Sequence, residues 1–130
     1  MKNREIWNLW EKIAAKFLLE KWWKFLKNNY YEKNFWEIDL IFEDTKNWNQ
    51  IVFIEVKTRT SEKFWEWFEA VEEKKLKKMA KTWELFCLKN WLDFDETRFD
   101  VISILVNIIS NWNWEKFWKN CKIKHLKKIL

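Results

Sequence analysis

Hydrophobic positions recur along this chain with two periods, and the switches between them mark out the elements. Between residues 4 and 22, Ile6, Leu9, Ile13 and Phe17 fall at helical spacing, Ala14 and Leu18 widen the stripe, and Glu20 ends it as a polar member. That pattern predicts an amphipathic helix buried by one face. Residues 24–33 read as a first strand, opened by Phe25 and Leu26. In residues 36–44, WEIDLIFED, alternation predicts Ile38, Leu40 and Phe42 on one face and Glu37, Asp39 and Ile41 on the other. In residues 50–58, QIVFIEVKT, it predicts Val52, Ile54 and Val56 on one face and Ile51, Phe53, Glu55 and Lys57 on the other. A loop over 59–67 leads into a helix over 68–89, with Phe68, Val71, Leu76, Met79, Ala80 and Phe86 inward. Residues 98–109, RFDVISILVNII, form a β-prone run, and the tail from 115 is expected to hold one more strand and a short basic helix. Helix, three strands, helix, strands predicts an α/β fold, a mixed sheet of four to five strands flanked by helices, in one domain over 1–130.

Charge and composition narrow the classes. Charged residues make up 35% of the chain, and no apolar run approaches the roughly 20 residues of a membrane helix. The start, MKNREIWNLWEK, lacks the apolar core of a secretory signal. Cys87 and Cys121 make neither a disulfide framework nor a zinc motif, so a reducing cytoplasm is expected. A net charge of +5 favours an anionic partner.

Two residue counts fit no ordinary class. The chain has no glycine and 13 tryptophans, where average usage predicts about nine glycines. The Trp residues fall where turns need glycine. Asn47-Trp48-Asn49 joins two strand-like runs, Asn111-Trp112-Asn113-Trp114 has the same setting, and Asn90-Trp91 follows a helix. Hairpin turns and helix C-caps prefer a residue that reaches positive φ without a Cβ clash. The reading that follows is that the 13 Trp positions are glycines, UGA having been translated under the wrong code. A Trp-rich or deliberately substituted chain is the alternative.

Asp39, Glu55 and Lys57 are the residues that suggest chemistry. Asp39 interrupts an apolar strand, and Glu55 and Lys57 point the same way from the next one. A short hairpin makes the two strands neighbours. Two carboxylates suit a hard cation such as Mg²⁺ or Mn²⁺, and an ammonium beside them can orient a water or neutralise a phosphate. A buried ion pair between Lys57 and a carboxylate is the structural alternative.

The stretches NREIWNLWEKIAAKFL, FWEIDLIFED, IVFIEVKTRTSEKFW, EAVEEKKLKKMA and RFDVISI, read with glycine at the Trp positions, resemble the small bacterial YraN-like proteins. That family belongs to the restriction-endonuclease-like, or PD-(D/E)XK, nuclease superfamily. The resemblance runs from about residue 3 to 126, and Trp7, Trp10, Trp36 and Trp65 fall where the family pattern has glycine. It implies a metal-dependent endonuclease acting on DNA, branched or single-stranded, in which Asp39 and Glu55 hold Mg²⁺ or Mn²⁺ with help from the Val56 carbonyl. Lys57 would be the catalytic lysine. Glu11 would bind a second metal or a metal-bound water, and Glu37, which alternation puts on the face of Asp39, would be either a weaker further candidate or a residue rimming the site. Arg59 and Lys74 could contact phosphate. The superfamily proline is absent, with Glu37-Ile38-Asp39 in its place, as in the resembling family. An indole at Trp36 would crowd the approach of backbone to metal and DNA. The superfamily analogy to small, dimeric Holliday-junction resolvases adds a homodimer as an expected partner, and the short apolar runs lead to the expectation of no membrane. A non-catalytic nucleic-acid-binding protein with a nuclease fold is the second reading, since fold does not fix function.

Lys74, Lys75, Lys77, Lys78 and Lys81 form a basic stripe on the second helix, and Lys122, Lys124, Lys127 and Lys128 another near the C-terminus. Each is either a solvated surface or a phosphate-tracking patch. His125, with no second ligand at metal spacing, is expected to pack rather than ligate, and Cys87 to lie in the core.

Overall fold

The computed structural model describes residues 8–59, 73–105 and 122–130. Expectations for residues 1–7, 60–72 and 106–121 lie outside them. These include most of the 59–67 loop, Phe68, Val71, Cys121 and the Trp112–Trp114 turn.

The first helix, α1 (Leu9–Glu20), starts later than its stripe suggested. Asn8 is extended and caps it, accepting from the Glu11 N–H at 2.8 Å, so the helix cannot run unbroken from residue 4. The Glu11 side chain reaches back to the Asn8 N–H, completing a capping box. At its other end the Trp22 N–H donates to the Leu19 carbonyl and the Trp23 N–H to that of Leu18. This is a Schellman motif with Trp22 at the left-handed position, φ 70°. The motif ends the helix two residues before residue 22.

Three strands follow: β1 (Lys24–Tyr31), β2 (Glu37–Asp44) and β3 (Gln50–Arg59). The second helix, α2 (Glu73–Lys89), crosses to β4 (Arg98–Leu105), and β5 (Lys122–Leu126) closes the order. The five strands lie side by side in chain order, with β3 and β4 parallel and the other pairs antiparallel. This is the α/β mixed sheet that the periodicity predicts.

The sheet is covered on both faces. Leu40, Phe42, Val52, Ile54, Ile102 and Ile104 pack with Ile13, Ala14 and Leu18 of α1. Ile38, Ile41, Phe53 and Phe99 pack with Met79, Trp83 and Phe86 of α2. The two sides of β3 are as alternation predicts, but β2 departs from it. Ile38 joins Ile41 on the α2 side, although Leu40 and Phe42 lie on the α1 side. The β2–β3 ladder explains the slip. It runs from Asp44–Gln50 only as far as Leu40–Ile54, and beyond that the Val56 N–H donates to the Asp39 carboxylate at 2.7 Å. A side-chain acceptor thus replaces regular pairing at the point where the strands part.

The tail also differs from expectation. Lys122 and Lys124 lie on β5, and residues 127–130 form no helix. The Lys128 N–H donates to Asp100, and the Ile129 N–H to the Phe99 carbonyl; these bonds hold the tail along β4 instead of within a helix. Asp100, fully buried, also accepts from Arg98 and pairs with His125 Nε2 at 2.7 Å. His125 is therefore a packing residue, edge-on to Trp23 and Phe17. Cys87 is buried and free. Among the described residues no helix is long and apolar enough to cross a membrane.

Candidate functional site

Where β2 and β3 separate, a cavity of about 300 Å³ opens under the start of α1. Its walls carry Glu11 from α1, Asp39 from β2, and Glu55, Val56 and Lys57 from β3. Four residues predicted from three segments, Glu11, Asp39, and Glu55 with Lys57, are thereby brought to one space. Asn8, Trp10 and Thr58 complete the lining.

Each element has a local reason to deliver its group. The capping box sets Glu11 in the first turn of α1, on the side facing the sheet, and buries it. The loss of regular pairing at the end of the β2–β3 ladder releases Asp39 toward the Val56 N–H. Period two carries Glu55 and Lys57 together, and their charged groups lie 3.9 Å apart.

The electrostatics are unusual for carboxylates. Burial pushes Asp39 up from its ordinary range; the Glu55 charge adds to this, and the Val56 N–H only partly offsets it. Burial likewise raises Glu55, against the pull of Lys57 and of the Trp36 indole N–H at 3.3 Å. Glu11 is raised by burial too, moderated first by a hydrogen bond from Asn29. Three acids crowded into a poorly solvated space resist ionising together.

As placed, the acids are turned to protein partners. Among the described residues no three His, Cys, Asp or Glu groups stand ready-made around a common point. The donor set is nevertheless all oxygen, which suits Mg²⁺ or Mn²⁺ and not a soft metal. Among the described residues Lys57 is the one cation that the cavity wall carries against three carboxylates. A hard divalent ion fits that imbalance.

The remaining predicted residues are more scattered. Glu37 is exposed at the start of β2, close enough for its charge to act on Asp39 and Glu55. Lys75, exposed on α2, reaches over the Trp36 ring, 5.8 Å from its centroid, and so stands near the cavity. Lys78 is half-buried on the same helix. Arg59 ends β3 and Lys74 lies in the first turn of α2; their side chains lie outside the described residues.

Three participants were not read from the sequence. Asn8-x-x-Glu11 is a capping-box signature that could have been read. Asn29, whose side-chain amide donates to Glu11 Oε2 at 2.9 Å from β1, left no signal in the chain. Thr82, buried in α2, donates to the Trp36 carbonyl at 2.6 Å, tying the lead-in to β2 to the helix. A larger cavity of about 470 Å³ lies by the β2–β3 turn, near Trp48, Asp93 and Glu96; among the described residues it gathers no comparable set of buried acids.

The sequence profile described as "Uncharacterised protein family UPF0102" matches residues 10–104. A UPF0102 protein of Syntrophomonas wolfei is 41% identical over 105 residues, 80% of this chain and 87% of that one. One from Clostridioides difficile is 39% identical over 104 residues, covering 80% and 88%. One from Fusobacterium nucleatum is 39% identical over 106 residues, covering 81% and 85%.

Proposed function

The chain belongs to the UPF0102 family, and from that premise we propose that it is a metal-dependent nuclease of the PD-(D/E)XK superfamily, hydrolysing phosphodiester bonds in DNA. One observation carries the reading. Asp39, Glu55 and Lys57 share a cavity at the opening between two strands, with Glu11 above them. Buried acids held side by side are unfavourable unless something compensates. Lys57 compensates part of that charge, and a divalent cation is suited to the rest.

Asp39 and Glu55 would hold the ion, with the Val56 carbonyl and Glu11 as further donors. Bound there, Mg²⁺ or Mn²⁺ supplies Lewis acidity and a water of lowered pKa. Lys57, three-quarters buried beside Glu55, brings a positive charge to the place where a phosphoryl oxygen gains negative charge. Arg59, Lys74, Lys75 and Lys78 would track the phosphate backbone, giving binding a steep salt dependence. A homodimer would let two such sites act on both strands of a branched substrate.

The test is to incubate branched, nicked and duplex DNA with the protein and Mg²⁺ or Mn²⁺, beside a Glu55→Ala control. Cleavage that the control lacks supports the nuclease. Binding without cleavage by either protein supports a non-catalytic nucleic-acid-binding role instead. Neither binding nor cleavage overturns both.

The same proposal extends to the tryptophans. Trp22, Trp48 and Trp91 have φ of 70°, 57° and 58° and are 77%, 97% and 97% exposed. Trp22 and Trp91 each follow a helix C-cap; Trp48, with Asn49 at φ 55°, occupies the β2–β3 turn. Glycine adopts these conformations without a Cβ clash, which supports translation of UGA as glycine at these positions. Trp23 and Trp83 differ, being buried in the two cores, so support for the reading is not uniform over the 13 positions. An intact mass of the protein from its own host decides. A mass matching 13 indoles rules the reading out.

A further inference from the structure

We propose that Asn29 is a positioning residue for the Glu11 carboxylate, an inference that rests on the metal-centred reading of the same cavity. A capping box accounts for Glu11 only in part. Its Oε1 meets the Asn8 N–H at a long 3.5 Å, and the box needs no other partner. Oε2 is held more firmly, at 2.9 Å, by the amide of Asn29 from a different element. That amide is itself oriented, because Asn28 Nδ2 donates to Asn29 Oδ1 at 2.8 Å. A directed chain, Asn28 to Asn29 to Glu11, therefore ends on a carboxylate that is 96% buried and lines the cavity.

The backbone points the same way. Asn29 is left-handed, φ 51°, in the middle of β1. Asn is among the few residues that tolerate this conformation. The pairs Asn28–Leu40 and Tyr30–Ile38 set Asn29 opposite Asp39, where β2 also departs from alternation. Strained backbone that brings an amide onto a buried acid is characteristic of a site in which orientation matters. Partners that orient metal-binding carboxylates typically change metal affinity 10- to 100-fold when removed.

Substitution by glycine separates the backbone from the amide. Asn29→Gly keeps the left-handed conformation without strain and removes the side chain. The measurement is Mn²⁺ binding to the full chain by calorimetry and electron paramagnetic resonance, with thermal midpoints recorded alongside. Asn29→Gly should hold or raise the midpoint yet weaken Mn²⁺ binding about tenfold. Glu11→Gln should weaken it at least as much, and the double variant no further, because Asn29 acts through Glu11. Unchanged binding in Asn29→Gly, or losses that multiply in the double variant, overturns the inference alone. An unsubstituted chain that binds no Mn²⁺ overturns both this inference and the metal-centred reading. Absence of DNA cleavage alongside the expected binding pattern overturns the nuclease reading and leaves the role of Asn29 standing.

Discussion

Replacing Trp22, Trp48 and Trp91 by glycine should make the chain more stable, although each substitution deletes the largest side chain. A residue with a Cβ in the left-handed region costs about 1–2 kcal/mol relative to its ordinary backbone. Glycine removes that strain but enlarges the conformational freedom of the unfolded chain, an opposing effect of about 0.4–1 kcal/mol. Little apolar burial is lost, because the three side chains are 77%, 97% and 97% exposed. A net gain of roughly 0.5–1 kcal/mol per site follows. The sites sit in separate turns, so the gains should add to about 1.5–3 kcal/mol. For a chain of this size, that amounts to about 5–11 °C in thermal midpoint. Trp23→Gly is the control. This neighbouring indole is 5% exposed, packs in the α1-side core and carries the Arg98 guanidinium 5.4 Å from its ring. Its loss should destabilise by about 3–5 kcal/mol. Urea and thermal unfolding of the single and triple variants read out both effects. If Trp48→Gly is neutral or destabilising, the assignment of strain to these turns is wrong.

Two further outcomes follow from buried charge. Asp39 and Glu55 are pushed up to about 9 and about 7, mainly by burial. The folded chain therefore keeps protons that the unfolded chain releases near pH 4. Their contribution to stability is full below about pH 4 and is lost as pH rises through about 7 and then 9. Urea midpoints measured from pH 4 to 9 should show this decline, and Mn²⁺ or Asp39→Asn should flatten it. A slope that Mn²⁺ leaves untouched contradicts the reading. At the other end of the sheet, Asp100→Ala should cost about 3–5 kcal/mol, because it breaks a buried pair and leaves Arg98 only the longer contact with Asp44, at 3.4 Å, and the Gln50 amide oxygen. It also frees the Lys128 N–H that ties down the tail, so backbone amides of residues 127–130 should exchange faster. A change under 1 kcal/mol in urea unfolding counts against that network.

The elements were legible because β2, β3 and β4 are dense in β-branched and aromatic residues, and because the α1 and α2 stripes keep helical period. The ends were less so. Ile6 fits the α1 stripe, but the Asn8 cap starts the helix behind it. The lysines near the C-terminus suggested a helix, whereas β4 recruits them as an edge strand and a tail through Asp100. In the site, Glu55 and Lys57 follow from period two alone. The orientation of Asp39 does not, because it depends on the Val56 N–H and on where the β2–β3 ladder stops. Asn29 was invisible for a similar reason: nothing local marks an asparagine in β1 as the partner of an acid 18 residues earlier. At Trp48 and Trp91 φ has the sign that turn chemistry predicts, whereas Trp23 and Trp83 lie in the cores, where turn chemistry has no say.

Crystals soaked in Mn²⁺ and measured at its absorption edge test the metal centre most directly. An anomalous peak in contact with the carboxylate oxygens of both Asp39 and Glu55, absent in Glu55→Ala crystals, is the predicted result. A peak elsewhere, or none while Glu55 stays paired with Lys57 and Asp39 with the Val56 N–H, contradicts it.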